Sequence, residues 1–185
     1  MKKNDIRNLM RERISKIDQK TRLIHSQRIF HTIENMPQFA AAKSIAIYHA
    51  LPDEPQTIET IERWNNIISK EIILPKVIDS RTINLYKYRP NSTEKGAFGI
   101  TEPTTNNKSS PVNPSQIDMI IIPGVAFTKE GNRLGRGKAY YDRYLSTPQF
   151  IAANVLKIGV CFPHQIIEKM PCEEHDIKVD IVICE

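Results

Sequence analysis

The most continuous apolar run in the chain, Met119–Ile122 inside Ile117–Ile122 (IDMIII), leaves no face for water. A run of this kind predicts a central strand buried on both sides, with layers packed above and below it. It is far too short to span a bilayer. Around it, shorter apolar runs alternate with amphipathic ones. Ser44–His49, Glu71–Val77, Ile83–Tyr88, Lys157–Phe162 and Val179–Cys184 read as strands. Ile6, Leu9, Met10, Ile14 and Ile17 recur at helical spacing over 4–17. A second helix is expected over 20–35, with Leu23, Ile24, Ile29, Phe30 and Ile33 inward and Pro37 just past its end. Thr57 is placed to cap a third, whose Ile58, Ile61, Trp64 and Ile68 share one face. The polar segments 91–115 and 123–136 read as long loops, and a last helix opens at Gly137 or Lys138 and runs to about Leu145.

Strands alternating with helices imply a layered α/β domain with a mostly parallel central sheet flanked by helices. With 185 residues, no internal repeat and no linker, one domain over 1–185 is expected, since domains run about 100–200 residues. In such sheets ligands bind beyond the carboxyl ends of the strands. The turn after Tyr48, the loop after Ile122 and the segment after Phe162 all leave at those ends, so a parallel sheet brings them to one rim.

Charge is unevenly spread. The chain carries +5 overall, but residues 1–30 hold nine Lys/Arg against three Asp/Glu, so the remainder is slightly acidic. A basic N-terminal helix attracts nucleic acid, an acidic membrane surface or a polyanionic small molecule, or is simply a solvated face. Three cysteines, Cys161, Cys172 and Cys184, lack CxxC spacing. They read as thiols of a reduced, intracellular protein without a zinc site.

The densest signal is Pro123–Phe127 (PGVAF) followed by Gly131–Leu145 (GNRLGRGKAYYDRYL). Gly135 and Gly137 allow positive φ and close backbone approach. N–H groups at a helix start can cradle an anion, and Arg133, Arg136 and Lys138 add charge. The segment is not a P-loop, since five residues separate Gly131 from Gly137 and Ala139 stands where Ser or Thr would hold Mg²⁺. It is not a dinucleotide fingerprint either, lacking the third glycine.

This stretch resembles the signature of the 5-formyltetrahydrofolate cyclo-ligase (methenyltetrahydrofolate synthetase) family, with Ala139 in place of a usual glycine. Lys3 with Arg7, Glu54 with Thr57, Phe98-Gly99-Ile100 with Glu102-Pro103, and His175-Asp176 with Val179-Asp180 match further elements in the same order. The resemblance implies a fold like that of the NagB/RpiA/CoA transferase group. It implies ATP- and Mg²⁺-dependent cyclisation of 5-formyltetrahydrofolate to 5,10-methenyltetrahydrofolate, through phosphorylation of the formyl oxygen.

By the same resemblance ATP meets Lys3, Arg7, Arg133 and the stretch Leu134, Gly135, Arg136, Gly137, Lys138, Ala139, Tyr140 and Tyr141. Arg136 and Lys138 are the catalytic pair. Folate meets Glu54 and Phe98 together with Arg136, Gly137, Lys138, Ala139 and Tyr140, and the metal ligands are Asp142 and Asp176. Each has a plainer reading: a cap or surface charge for either aspartate, a turn residue for Glu54, a loop anchor for Phe98, a helix core residue for one of the tyrosines. Lys16, Lys20, Arg22 and Arg28 could attract a folate glutamate tail or be solvated. The expected partners are small molecules, not nucleic acid or membrane, for a cytoplasmic monomer. The competing class is a nucleic-acid-binding module, and a non-catalytic folate-binding relative is a third.

Overall fold

Met119 and Ile121 point into one core layer and Ile120 and Ile122 into the other, each 1% exposed or less. That is the period of two a strand imposes on a run with no polar face. The strand is β6 (Met119–Pro123), near the middle of a six-stranded sheet in this computed structural model, which describes residues 1–96, 99–105 and 109–185. The sheet runs β10 (Ile181–Cys184), β9 (Leu156–Cys161), β6, β1 (Ser44–Ala46), β2 (Glu71–Val77), β3 (Ile83–Lys87). All neighbours are parallel except β2 and β3. The expected α/β layering with a mostly parallel sheet is what forms.

One face is covered by α2 (Gln19–Glu34), α3 (Pro37–Ala41) and α4 (Ile58–Asn65), through Phe30, Ile33, Phe39 and Trp64. The other is covered by α5 (Tyr140–Leu145) and α6 (Pro148–Ala153), through Leu145 and Phe150. The N-terminal helix α1 (Lys3–Ser15) buries Ile6 and Met10 in a third cluster with Ala126 and Leu134.

Several local expectations are corrected. Leu23 and Ile24 are exposed, and Ser26 takes the inward position instead, donating to the Arg22 carbonyl and accepting from Gln56 N–H. Ile68 is fully exposed because α4 ends at Asn65, so the helical spacing from Trp64 no longer maps onto one face. Thr57 makes no side-chain cap; its Oγ1 accepts the Ala50 N–H at 3.0 Å and ties the preceding turn. The long 91–115 segment contains a hairpin, β4 (Thr93–Lys95) with β5 (Thr101–Pro103). The second long loop contains another, β7 (Ala126–Phe127) with β8 (Arg133–Leu134).

The last-helix start is also later than its pattern implies. Gly137 (φ +96°) and Ala139 (φ +52°) are both left-handed, so α5 opens only at Tyr140. Gly135 is not left-handed; what it lacks room for is a side chain, which would press on the Arg133 guanidinium.

Candidate active site

β1 and β6 are neighbours whose chains continue to opposite sides of the sheet. Beyond their carboxyl ends lies a cleft of about 370 Å³, at the crevice where such sheets bind ligands. One wall is the turn after β1. The Tyr48 hydroxyl donates to the Pro55 carbonyl at 2.7 Å, and the Leu51 N–H donates to Glu54 Oε2 at 2.9 Å. Glu54 and Thr57 thus each accept a backbone N–H of the turn. Glu54 is buried, and burial raises its pKa, opposed by the Leu51 N–H and by Arg136.

Arg136 crosses to this wall. Its Nε donates to Glu54 Oε1 at 3.1 Å and its Nη2 pairs with Asp53. Desolvation works against its charge, but the two carboxylates outweigh it and raise its pKa. Glu54 therefore already holds a partner on each oxygen. A carboxylate has about four acceptor positions, so it can take further donors.

The glycine-basic loop forms the opposite wall. Arg133 is turned inward, its side chain 3% exposed, and its Nη2 donates to Asp142 Oδ1 at 2.6 Å. Its guanidinium lies 5.7 Å from the Tyr141 ring centre, and its buried Nε has no partner among the described residues. Arg133 is thus first a positioning group for Asp142. The Leu134 side chain packs against Ile6, Met10 and Ala126, and its carbonyl accepts from Val125, so it shapes the loop. Lys138 is exposed, and its ammonium makes no ion pair among the described residues. α5 is one and a half turns long, so its dipole adds little; charge at this wall comes from side chains.

The ends of the chain close the site. Lys3 Nζ donates to Asp176 Oδ1 and Oδ2 at 3.0 and 2.7 Å and lies 3.1 Å from Glu173. Arg7 Nε donates to the Gly135 carbonyl at 2.9 Å, and its guanidinium lies against Gly137, where a side chain would meet it. Asp142 Oδ1 also accepts weakly from the Ile177 N–H, so the two candidate metal ligands are adjacent. Asp142 Oδ2 has no partner among the described residues, and no group of three or more His, Cys, Asp or Glu there could hold a metal. Asp142, with Oδ2 free, and Asp176, whose oxygens Lys3 would have to yield, fit Mg²⁺, which takes one or two carboxylates and completes its shell with phosphate oxygens and water.

The cleft brings together every site residue expected from the sequence except Phe98, which lies outside the described residues. Ile100 and Glu102, matched above as part of a family element but given no site role, also line it, as does His49, which pattern reading missed. His49 lies three residues past the end of β1, beside the turn that forms one wall, and that position is the signal that could have found it; burial lowers its pKa, and its buried Nδ1 has no partner among the described residues. Lys16, Lys20, Arg22 and Arg28 do not line the cleft; Lys16 pairs with Glu12 and Arg22 donates to the Pro52 carbonyl. No helix among the described residues is long and apolar enough to cross a membrane.

A model of the 5-formyltetrahydrofolate cyclo-ligase family matches residues 1–185. A 5-formyltetrahydrofolate cyclo-ligase of Mus musculus is 29% identical over 191 residues, covering 99% of this chain and 93% of the mouse protein. One from Haemophilus influenzae is 32% identical over 155 residues, 80% of each chain. The NMR structure of Aquifex aeolicus 5,10-methenyltetrahydrofolate synthetase superposes with a TM-score of 0.84 at 34% identity, covering 100% of this chain and 90% of that one.

Proposed function

We propose, on the premise that this chain belongs to the 5-formyltetrahydrofolate cyclo-ligase family, that it converts 5-formyltetrahydrofolate and ATP into 5,10-methenyltetrahydrofolate, ADP and phosphate. As a member it is an ATP-dependent ligase. One observation carries the finer reading. A cationic loop, two cations from α1 and two adjacent carboxylates face a buried glutamate across one cleft.

An N-formyl group is amide-like and a poor electrophile. Transfer of the γ-phosphoryl group forms a P–O bond to the formyl oxygen as the bond to ADP breaks. The neighbouring amine nitrogen then forms a C–N bond to the activated carbon, its proton passes to solvent, and the C–O bond breaks to release phosphate. Such transfer asks a protein for positioning and charge neutralisation. Lys138, unpaired and exposed, and Arg136 would meet the transferred group, with Lys3 and Arg7 on the other phosphates. Arg133 would hold Asp142 in place, and Asp142 and Asp176 would hold Mg²⁺, which when bound neutralises phosphate charge. Glu54 would accept from the aminopyrimidine edge of the pterin. Gly135, Gly137 and Ala139 let the loop approach and Tyr140 and Tyr141 flank it; Phe98, outside the described residues, would meet the pterin by the family resemblance alone. The reading takes small molecules as partners, and it carries forward from the sequence the expectation of a cytoplasmic monomer without nucleic-acid or membrane partners.

The test mixes protein, Mg-ATP and 5-formyltetrahydrofolate, with ATP omitted in a parallel sample. The near-ultraviolet band of methenyltetrahydrofolate must grow only with ATP, with one phosphate released per product. Phosphate release without that band would overturn the reading.

A further inference from the structure

A second groove, of about 800 Å³, adjoins the cleft and shares Ile83 and Tyr140 with it. Resting on the cyclisation reading above, we propose that this groove receives the aminobenzoyl-glutamate end of the folate, with Arg81 and Arg143 meeting its carboxylates.

Size is the first argument. Pockets of about 300–1,000 Å³ hold a single drug-sized ligand. A cleft of 370 Å³ that must admit both a pterin and the phosphate end of ATP has no room for the rest of the folate. The tail must leave, and Lys16, Lys20, Arg22 and Arg28, which could have drawn it, do not line the cleft.

Chemistry is the second argument. The Tyr140 ring stands between cleft and groove, its hydroxyl donating to the Asp79 carbonyl at 3.2 Å. It offers an aromatic face to an aminobenzoyl ring at the point of passage. Arg143 lies 5.7 Å from that ring centre; its Nε and Nη2 donate to the Arg81 and Lys138 carbonyls, which fixes the guanidinium at the groove. Neither Arg143 nor the exposed Arg81 has a carboxylate partner among the described residues. The nearby Asp79 carboxylate accepts the Arg81 and Thr82 N–H groups, and the two arginines leave the rim net positive. Tyr144 lines the groove, and its buried hydroxyl has no partner among the described residues. Guanidinium groups without a carboxylate partner and an orphan hydroxyl suit carboxylates; a neutral adenosine would leave the positive charge of the rim uncompensated.

The experiment compares the full-length protein with Arg81→Glu and Tyr144→Phe. Arg81→Glu is expected to raise the KM for 5-formyltetrahydrofolate at least about three-fold, more for a triglutamate than a monoglutamate form, and less at high salt. Tyr144→Phe raises it too, and the KM for ATP stays as it was in both. A calorimetric arm titrates p-aminobenzoyl-triglutamate, which must bind the unsubstituted protein and lose affinity in Arg81→Glu. An unchanged folate KM at low salt, a raised ATP KM instead, or fragment binding indifferent to Arg81 each overturns the groove assignment. Failure to form any methenyl product would sink the cyclisation reading alone, and the fragment titration would still decide the groove.

Discussion

Lys3 and Asp176, 173 positions apart, meet across the mouth of the cleft, the ammonium bonded to both carboxylate oxygens. The ammonium stands where a cation on Asp176 would have to compete with it. Lys3→Ala should therefore let Asp176 take Mg²⁺ without nucleotide about five-fold more tightly, since a part-exposed pair is worth up to about 1 kcal/mol. It should also raise the KM for ATP. Calorimetric Mg²⁺ titration checks the first; equal affinities would mean that Asp176 is not a ligand. The pair has a pH signature as well. Burial raises the Asp176 pKa, but Lys3 and the Glu173 N–H outweigh it and hold it below 3.8. Its stabilisation is complete above that value and is lost as pH falls through the folded pKa. For Lys3, desolvation is outweighed by the carboxylates, so its pKa lies above 10.5 and its share is lost only at higher pH. In urea denaturation below pH 3.8, Lys3→Ala should lose stability less steeply than the unsubstituted chain.

Arg133 and Asp142 form a pair that water barely reaches. Removing one member of a buried pair leaves the other charge uncompensated, at a cost of about 3–5 kcal/mol. Arg133→Met should lower the unfolding free energy by that order as well as reduce turnover. A loss under about 1 kcal/mol in urea would show the pair to be solvated.

Ala139 sits at φ +52° just before α5, where its Cβ is strained. Left-handed backbone costs an L-residue about 1–2 kcal/mol, and glycine returns part of that gain as unfolded-chain entropy. Ala139→Gly should stabilise the protein by roughly 0.5–1 kcal/mol, seen as a higher urea midpoint at constant slope. A lower midpoint would mean the methyl group packs usefully.

Lys138 is exposed at the cleft, and among the described residues only its carbonyl is used, by Arg143. Lys138→Ala should leave the unfolding midpoint in place and raise the KM for ATP about ten-fold, the size of one charge-assisted hydrogen bond. Unaltered kinetics would remove Lys138 from the site.

Most of the fold was legible because it is written in short-range pattern. The alternation of Met119, Ile120, Ile121 and Ile122 between two layers follows from strand geometry and from burial alone. Pattern failed where a partner distant in sequence set the outcome. Leu23 and Ile24 lost the inward face to Ser26, which bonds Gln56, and Thr57 turned from its helix to the Ala50 N–H. Motif spacing located the cationic loop but not the different duties of its members. Arg133 went under the surface, Arg136 went across to Glu54, and Lys138 stayed exposed at the cleft.

The amino-acid order by itself determined the layered α/β plan, the position of the cleft beyond the strand ends and the kinds of side chain that line it. Those depend on polarity, spacing and strand direction, which are local quantities. Tertiary structure alone decided that Lys3 faces Asp176, that Asp142 lies beside Ile177, and that a groove opens past Tyr140. Each of these is a distance between residues far apart along the chain, and such distances exist only once both layers have packed on the sheet.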